Sequence, residues 1–248
     1  MLRIIHNYLT HPRTRPALRP GLRMHYSLRA VRGIVVHWTA NRAPRADANA
    51  HHSYFNQGLR AASAHYVTDS ERYVLCVPER EVAFHCGDRP MGRYKAAGQS
   101  LMQDYKGLTP NFFTIGIELC VNADGDWPTT YAKGARLAAW LLRKHMLSPA
   151  DLYRHYDITG KACPQMMLKQ AEWEAFKAAV RREWDGMDHM RLMVVTADSL
   201  NVRIGPGTGY ADIDNLPENT PVLVNSLVAN WAEIEQGRWV SARFLSPA

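Results

Sequence analysis

Hydrophobic positions along this chain change period near residue 186. Before it, short apolar runs alternate with stretches of helical spacing; after it, only short alternating runs remain. Ile34-Val35-Val36 is a β-branched run that reads as a buried strand ending at His37. Residues 45–58 can form a helix. His65–Thr68 and Tyr73–Val77 read as a strand pair about the polar turn Asp69-Ser70-Glu71. Residues 89–111, rich in Gly, Pro and polar side chains, read as a long loop. Phe112–Val121 reads as a central strand, apolar almost throughout except Glu118. Ala135, Leu137, Ala138, Leu141 and Leu142 fall at helical spacing and predict a helix over 130–146. Asp151–Arg154 reads as a last short strand. Gln165–Trp184 reads as an amphipathic helix with Trp173, Phe176 and Val180 on one face. This alternation predicts an α/β fold, a mixed central sheet flanked by helices.

The later pattern predicts short alternating strands separated by turns, through Met193–Thr196, then the stretch Ile204–Gly209, whose glycines and Pro206 shape a tight loop, then Val222–Val224, Trp231–Glu235 and Trp239–Ser241, hence a small all-β barrel. Pro12, Pro16 and Pro20 interrupt any helix in the first thirty residues, so that stretch is expected to be irregular. The expected organisation is a basic arm over 1–30 on or before the main domain, an α/β domain over 31–186, a linker near Asp185–Arg191, and a β module over 192–248.

Composition narrows the class. With 248 residues, 46% hydrophobic and 21% charged, the chain is ordinary globular material. No apolar run approaches the roughly 18–20 residues of a membrane span, and residues 1–30 lack the apolar core of a secretory leader. Four cysteines in this length make no disulfide scaffold, so Cys76, Cys86 and Cys120 are expected as buried thiols. The net charge of +7 is unevenly placed. Residues 1–46 hold nine arginines and no acid, residues 47–190 seventeen charges of each sign, and residues 191–248 four bases against six acids. Such an arm could steer the protein to a polyanion or lie solvated on the main domain. It has no run of adjacent basic residues, which argues against a nucleic-acid partner.

His155 and Cys163 stand eight apart in a loop marked by Gly160 and Pro164. Imidazole and thiolate are good zinc ligands, and a catalytic zinc takes three protein ligands and keeps one position open. His37, at a buried strand's end, is well placed as the third. By spacing alone the pair is a weak signal, because eleven histidines always offer a third ligand. Glu118 strengthens it: a carboxylate inside an apolar strand is costly unless paired or functional, and desolvation suits it to proton transfer near neutral pH. Lys161 could stabilise an oxyanion or simply face solvent.

Gly33-Ile-Val-Val-His37-Trp-Thr-Ala40 resembles the opening block of zinc N-acetylmuramoyl-L-alanine amidases of the phage-lysozyme and peptidoglycan-recognition type. Ala62-Ser-Ala-His65-Tyr66-Val is similar to that family's second block, and Ala83-Phe-His85-Cys-Gly87-Asp to its third. Ile115-Gly-Ile-Glu118 and the His155…Lys161-Ala-Cys163-Pro164 block follow in the family's order, over about residues 31–180. The resemblance implies one Zn2+ per chain on His37, His155 and Cys163, with Lys161 at the family's catalytic lysine. Relatives carry a Tyr before the second-block His or a Glu on the central strand; Ala64 stands at the first position here, so the base role falls to Glu118. The implied reaction is metal-assisted hydrolysis of the bond between the muramic lactyl group and L-alanine. His85, His65, Trp38 and Tyr66 are candidate substrate contacts, with structural roles as the alternative. His51 and His52 are expected on an ordinary helix face.

Ser199-Leu-Asn-Val-Arg203-Ile-Gly-Pro-Gly-Thr208 and Trp231-Ala-Glu-Ile…Gly237-Arg-Trp239-Val-Ser-Ala-Arg-Phe244-Leu resemble bacterial SH3-like (SH3b) domains, which implies a wall-binding module. The expected substrate partner is peptidoglycan. An immunity or inhibitor protein belongs to the effector setting, and the oligomeric state stays open. The expected setting is synthesis in the cytoplasm without a leader, then action in the periplasm or wall after holin-type release or injection, as an endolysin or antibacterial effector. A peptidoglycan-binding receptor without catalysis and a cysteine peptidase using Cys163 remain as alternatives.

Overall fold

Two six-residue strands, β2 (Gly33–Trp38) and β5 (Thr114–Leu119), run parallel at the middle of a six-stranded sheet. The computed structural model describes residues 1–87, 93–103, 105 and 107–248. Asp88 of the third block and part of the expected 89–111 loop lie outside these. The sheet is completed by β1 (Ile4–His6), β3 (Tyr66–Thr68), β4 (Tyr73–Leu75) and β6 (Leu152–Arg154), in the order β1-β4-β3-β5-β2-β6. Only the β3–β4 hairpin is antiparallel. The helices are α1 (Ala48–Asn56), α2 (Ala96–Met102), α3 (Trp127–Lys144), α4 (His155–Thr159) and α5 (Gln170–Asp185).

Strand alternation divides the side chains. Ile34, Val36, Ile115, Ile117 and Leu119 share one core with Leu137, Trp140 and Leu141 of α3 and Phe176 and Val180 of α5. Val35, His37, Gly116 and Glu118 face the other way. There Val35 meets Phe113, Leu101 of α2 and Ile158 of α4. The expected α/β architecture therefore stands, with two differences. The 89–111 stretch contains α2, whose Leu101 and Met102 are buried. The first thirty residues are not an irregular arm: Ile4–His6 pairs with Tyr73–Leu75 as the edge strand, and Leu2, Leu9 and Ala17 are buried. Apolar anchors decide this, although the prolines do exclude a long helix.

Residues beyond 190 form a small β domain. Its strands are β7 (Arg191–Val195), β8 (Ser199–Arg203), β9 (Asp212–Pro217), β10 (Pro221–Val224), β11 (Ser226–Val228), β12 (Trp231–Glu235), β13 (Arg238–Ser241) and β14 (Leu245–Pro247). They make a three-stranded and a five-stranded sheet around Val195, Val202, Val222, Ala232 and Val240. Ile204–Gly209 is the turn after β8, the tight loop its glycines and Pro206 predict. Alternating Leu200 and Val202 point into the core, while Gly205 lies under the Tyr210 ring, where a Cβ would come within 2.5 Å. The β domain rests on the α/β domain: Leu223 enters the core beneath α3, Gln236 N–H donates to Leu2 O at 2.9 Å, and His6 Nε2 meets Glu235 at 2.8 Å.

Glu79 pins this side of the sheet. It meets Lys144 Nζ at 2.9 Å and His145 Nε2 at 2.7 Å, and accepts from the Tyr66 hydroxyl. Burial pushes its pKa up, but the Lys144 charge and the His145 hydrogen bond outweigh that and hold it below the ordinary glutamate value. A carboxylate lowered in this way stabilises the fold above the unfolded pKa, and that stability is lost as pH falls below it. Glu79→Gln should cost about 3 kcal/mol at pH 7, by analogy with other broken buried pairs. The gap from the parent should narrow as pH drops below about 4.5. Urea midpoints at pH 7 and pH 3 would check both parts.

Candidate functional site

The register of β2 against β6 places Arg154 beside Val36, so His155, opening α4, arrives next to His37. One helical turn follows and ends at Gly160, whose φ of 79° lets the chain reverse. Tyr156 N–H donates to Cys163 O at 2.9 Å, which closes the loop and returns Cys163 to the two histidines. Arg154 clasps this loop: its guanidinium bonds Asp157, and Nη1 donates to Met167 O and Leu168 O at 2.9 and 3.1 Å. His37, His155 and Cys163 are all buried, and their ligand atoms lie within 4.8 Å of one another. His37 Nδ1 is 3.7 Å from Cys163 Sγ. That is close to the roughly 3.6 Å expected of N and S donors sharing a tetrahedral zinc. Two imidazoles and a thiol at this spacing fit such an ion.

The other side of His37 is equally constrained. Its Nε2 lies 3.0 Å from His85 Nδ1, and His85 Nε2 lies 3.2 Å from Thr114 Oγ1 and 3.4 Å from Thr114 O. The Thr114 hydroxyl itself donates to Pro110 O, so it accepts from His85. The consistent assignment has His37 donating from Nε2 and His85 donating from Nε2, which leaves the His37 Nδ1 lone pair facing Cys163. Burial, then the nearby charges of other histidines, pushes both rings well below the ordinary imidazole pKa, so both are neutral. Asn111 Oδ1 accepts from the His85 and Cys86 amides and fixes the His85 backbone.

Glu118 pairs in register with His37 on the adjacent strand. Its Oε2 is shielded from solvent and has no hydrogen-bond partner among the described residues. Burial pushes its pKa up to about 8, partly offset by the Lys161 charge. Lys161 is exposed and lines a cleft of about 310 Å³ with Ala62, Phe84, His85, Asn111 and His155. A second cleft of about 410 Å³, lined by Arg42, Cys120, Asn122, Trp127 and Met166, lies past the end of β5. Trp38 is half-buried, with the Arg42 guanidinium 5.9 Å above its ring.

The structure thus brings His37, His155, Cys163, Glu118, Lys161 and His85 together. It does not bring Tyr66 and His65 to the cleft. Tyr66 points through the sheet into the opposite core and bonds Glu79. His65 is fully buried, with Nε2 on Glu81 O and Nδ1 accepting from Gly116 N–H, so its ring replaces a missing rung of the sheet ladder. His51 and His52 lie on α1 as expected, and both are buried there. Cys76, Cys86 and Cys120 are buried thiols, and burial raises the pKa of Cys76 and Cys120. Sequence reasoning missed Thr114, Asn111, Gly116 and Arg154. Of these only Gly116, a glycine inside a strand, carried a signal.

Comparison with known proteins places this arrangement. The N-acetylmuramoyl-L-alanine amidase family matches residues 27–166. A probable N-acetylmuramoyl-L-alanine amidase of Bacillus licheniformis is 33% identical over 73% of this chain and 48% of its own. The N-acetylmuramoyl-L-alanine amidase BlyA of Bacillus subtilis is 34% identical over 68% of this chain and 45% of its own. The aligned part of the chain therefore spans about half the length of these curated relatives. The solved catalytic domain of XlyA superimposes with a TM-score of 0.57 at 30% identity, covering 72% of this chain and 99% of that domain.

Gly116 leaves room for His85: a Cβ there would sit 2.6 Å from the ring. Gly116→Ala should cost about 1–3 kcal/mol through overpacking. Truncating the ring as well, in Gly116→Ala/His85→Ala, should recover part of that cost in a double-mutant cycle followed by urea denaturation.

Proposed function

The chain belongs to the N-acetylmuramoyl-L-alanine amidase family, and on that premise we propose that it is a zinc-dependent peptidoglycan hydrolase cutting the amide between the muramic lactyl group and L-alanine. The observation that carries this reading is the buried His37–His155–Cys163 cluster with Glu118 beside it in register. Zinc held by His37 Nδ1, His155 and Cys163 would supply Lewis acidity at the open end of the cleft. Glu118 is the proton carrier. Its raised pKa suits it to take a proton from water and return it to the leaving alanine nitrogen. Lys161, on the cleft wall, neutralises negative charge that develops on the carbonyl oxygen. His85 positions His37 by taking its Nε2 proton in a hydrogen bond, which holds Nδ1 toward the other two ligands. Trp38, stacked under Arg42, borders the strand-end surface where a sugar or peptide would lie.

The β domain serves as an SH3-like module that holds the enzyme to wall peptides and raises its local concentration there. Its core and its Trp231–Glu235 and Arg238–Ser241 strands support that reading. No helix among the described residues is long and apolar enough to cross a membrane. The setting that goes with this reading is action on the wall as an endolysin or injected effector. A thiol close to an imidazole also suits a cysteine peptidase, but Cys163 is 4% exposed and shares its pocket with a second histidine, which favours ligation.

A digest of purified sacculi, with and without chelator and read by mass spectrometry, is decisive. Metal-dependent release of stem peptides with a free N-terminal alanine is expected. Cleavage inside the peptide that survives chelation would reassign the chemistry to Cys163. Glu118→Gln should lower kcat by about 10²–10⁴-fold with zinc content unchanged. His85→Ala should weaken zinc binding by about 10–100-fold in competition with a chromogenic chelator, whatever its activity. Unaltered affinity would reduce His85 to a cleft-lining residue.

A further inference from the structure

The excess positive charge of residues 1–46 has no role in the site just described, and the fold divides it unequally. Arg15 forms a two-pronged pair with buried Glu81, at 2.6 and 2.8 Å. Arg19 lies over the rings of Tyr26 and Phe84 and donates to Pro12 O. These two arginines, with buried Thr14, Pro16 and Ala17, fasten the segment to the α/β domain. Arg13 and Arg23 are exposed and join no ion pair among the described residues. Between and beside them stand Leu18, Leu22 and Met24, exposed by 41%, 38% and 79%.

We propose that this face, Arg13–Met24, docks the protein onto an anionic lipid bilayer. Two independent features point there. Guanidinium groups without carboxylate partners complement acidic headgroups. Three large apolar side chains among them gain nothing from a soluble polyanion, whereas they can enter the acyl boundary just below the headgroups. A protein made only to bind a charged polymer would carry polar residues at 18, 22 and 24. The face also adjoins the catalytic cleft, because Phe84, beneath Arg19, is part of the cleft wall. Docking there would set the cleft mouth beside the bilayer. The inference does not depend on the amidase reading, since vesicles contain no peptidoglycan.

The test is co-sedimentation of the full chain with vesicles of phosphatidylcholine alone or mixed with phosphatidylglycerol. At about fivefold per neutralising arginine, the mixed vesicles should bind on the order of 30-fold more tightly. Arg13→Glu/Arg23→Glu should remove that preference. Leu22→Ser/Met24→Ser, which leaves charge untouched, should weaken binding to mixed vesicles several-fold. Both variants lie on exposed turns, so their circular dichroism and sacculus cleavage should match the parent. Equal binding to both vesicle types would overturn the proposal. So would serine variants that bind like the parent, since that result marks a patch for soluble polyanions.

Discussion

The parallel pairing of β2 with β5 is the constraint on which the site depends. It sets His37 beside Glu118 on one face and stacks Ile34, Val36, Ile115 and Ile117 on the other. A slip of one residue would drive an imidazole and a carboxylate into the core under α3 and turn isoleucines into the cleft. The large apolar core on α3 and α5 therefore does more than stabilise the fold. It holds the register that brings the Glu118 carboxylate to within one strand spacing of the His37 imidazole.

Such a centre contains polar groups that are expensive to bury. Three devices offset that expense. His37, His85 and Thr114 form a line of hydrogen bonds in which each ring donates once and accepts or ligates once. His65 satisfies the Gly116 amide where the sheet ladder lapses. Arg154 ties β6, α4 and the 167–168 carbonyls into one clasp, so the protein itself fixes His155 and Cys163 in position. Glu118 is the exception. Its Oε2 has no partner among the described residues, and that desolvation pushes its pKa up to about 8.

Much of this was legible in the sequence, for physical reasons. Glu118 declared itself because charge inside an apolar strand is rare. Phe112–Val121 was readable because burial on both faces of a sheet leaves a continuous apolar run, and the helices around Leu137 and Phe176 because burial of one face leaves a helical period. The edge strand Ile4–His6 was not, because three residues carry no period; its long-range partner Tyr73–Leu75 defines it. Tyr66 and His65 looked alike as candidates, yet alternation sends one through the sheet and tucks the other into the ladder. Asn111 and Thr114 act through backbone amides and ring nitrogens, contacts that leave no trace in residue spacing. The turn at Ile204–Gly209 was readable from its glycines and Pro206, and Gly205 also makes room for Tyr210.

The joint between the two domains has a consequence for how the molecule could have arisen and be rebuilt. The composition break near residue 186 suggests two parts that could be exchanged freely. The folded chain is otherwise: Leu223 completes a core that belongs to α3, and the backbone of Gln236 bonds Leu2 at the sheet's outer strand. Removing the β domain would bare an apolar socket and loosen the edge strand together. Grafting a foreign one would succeed only if it carried a side chain to fill the same socket. The boundary visible in the composition is thus a seam closed by a core that both halves share.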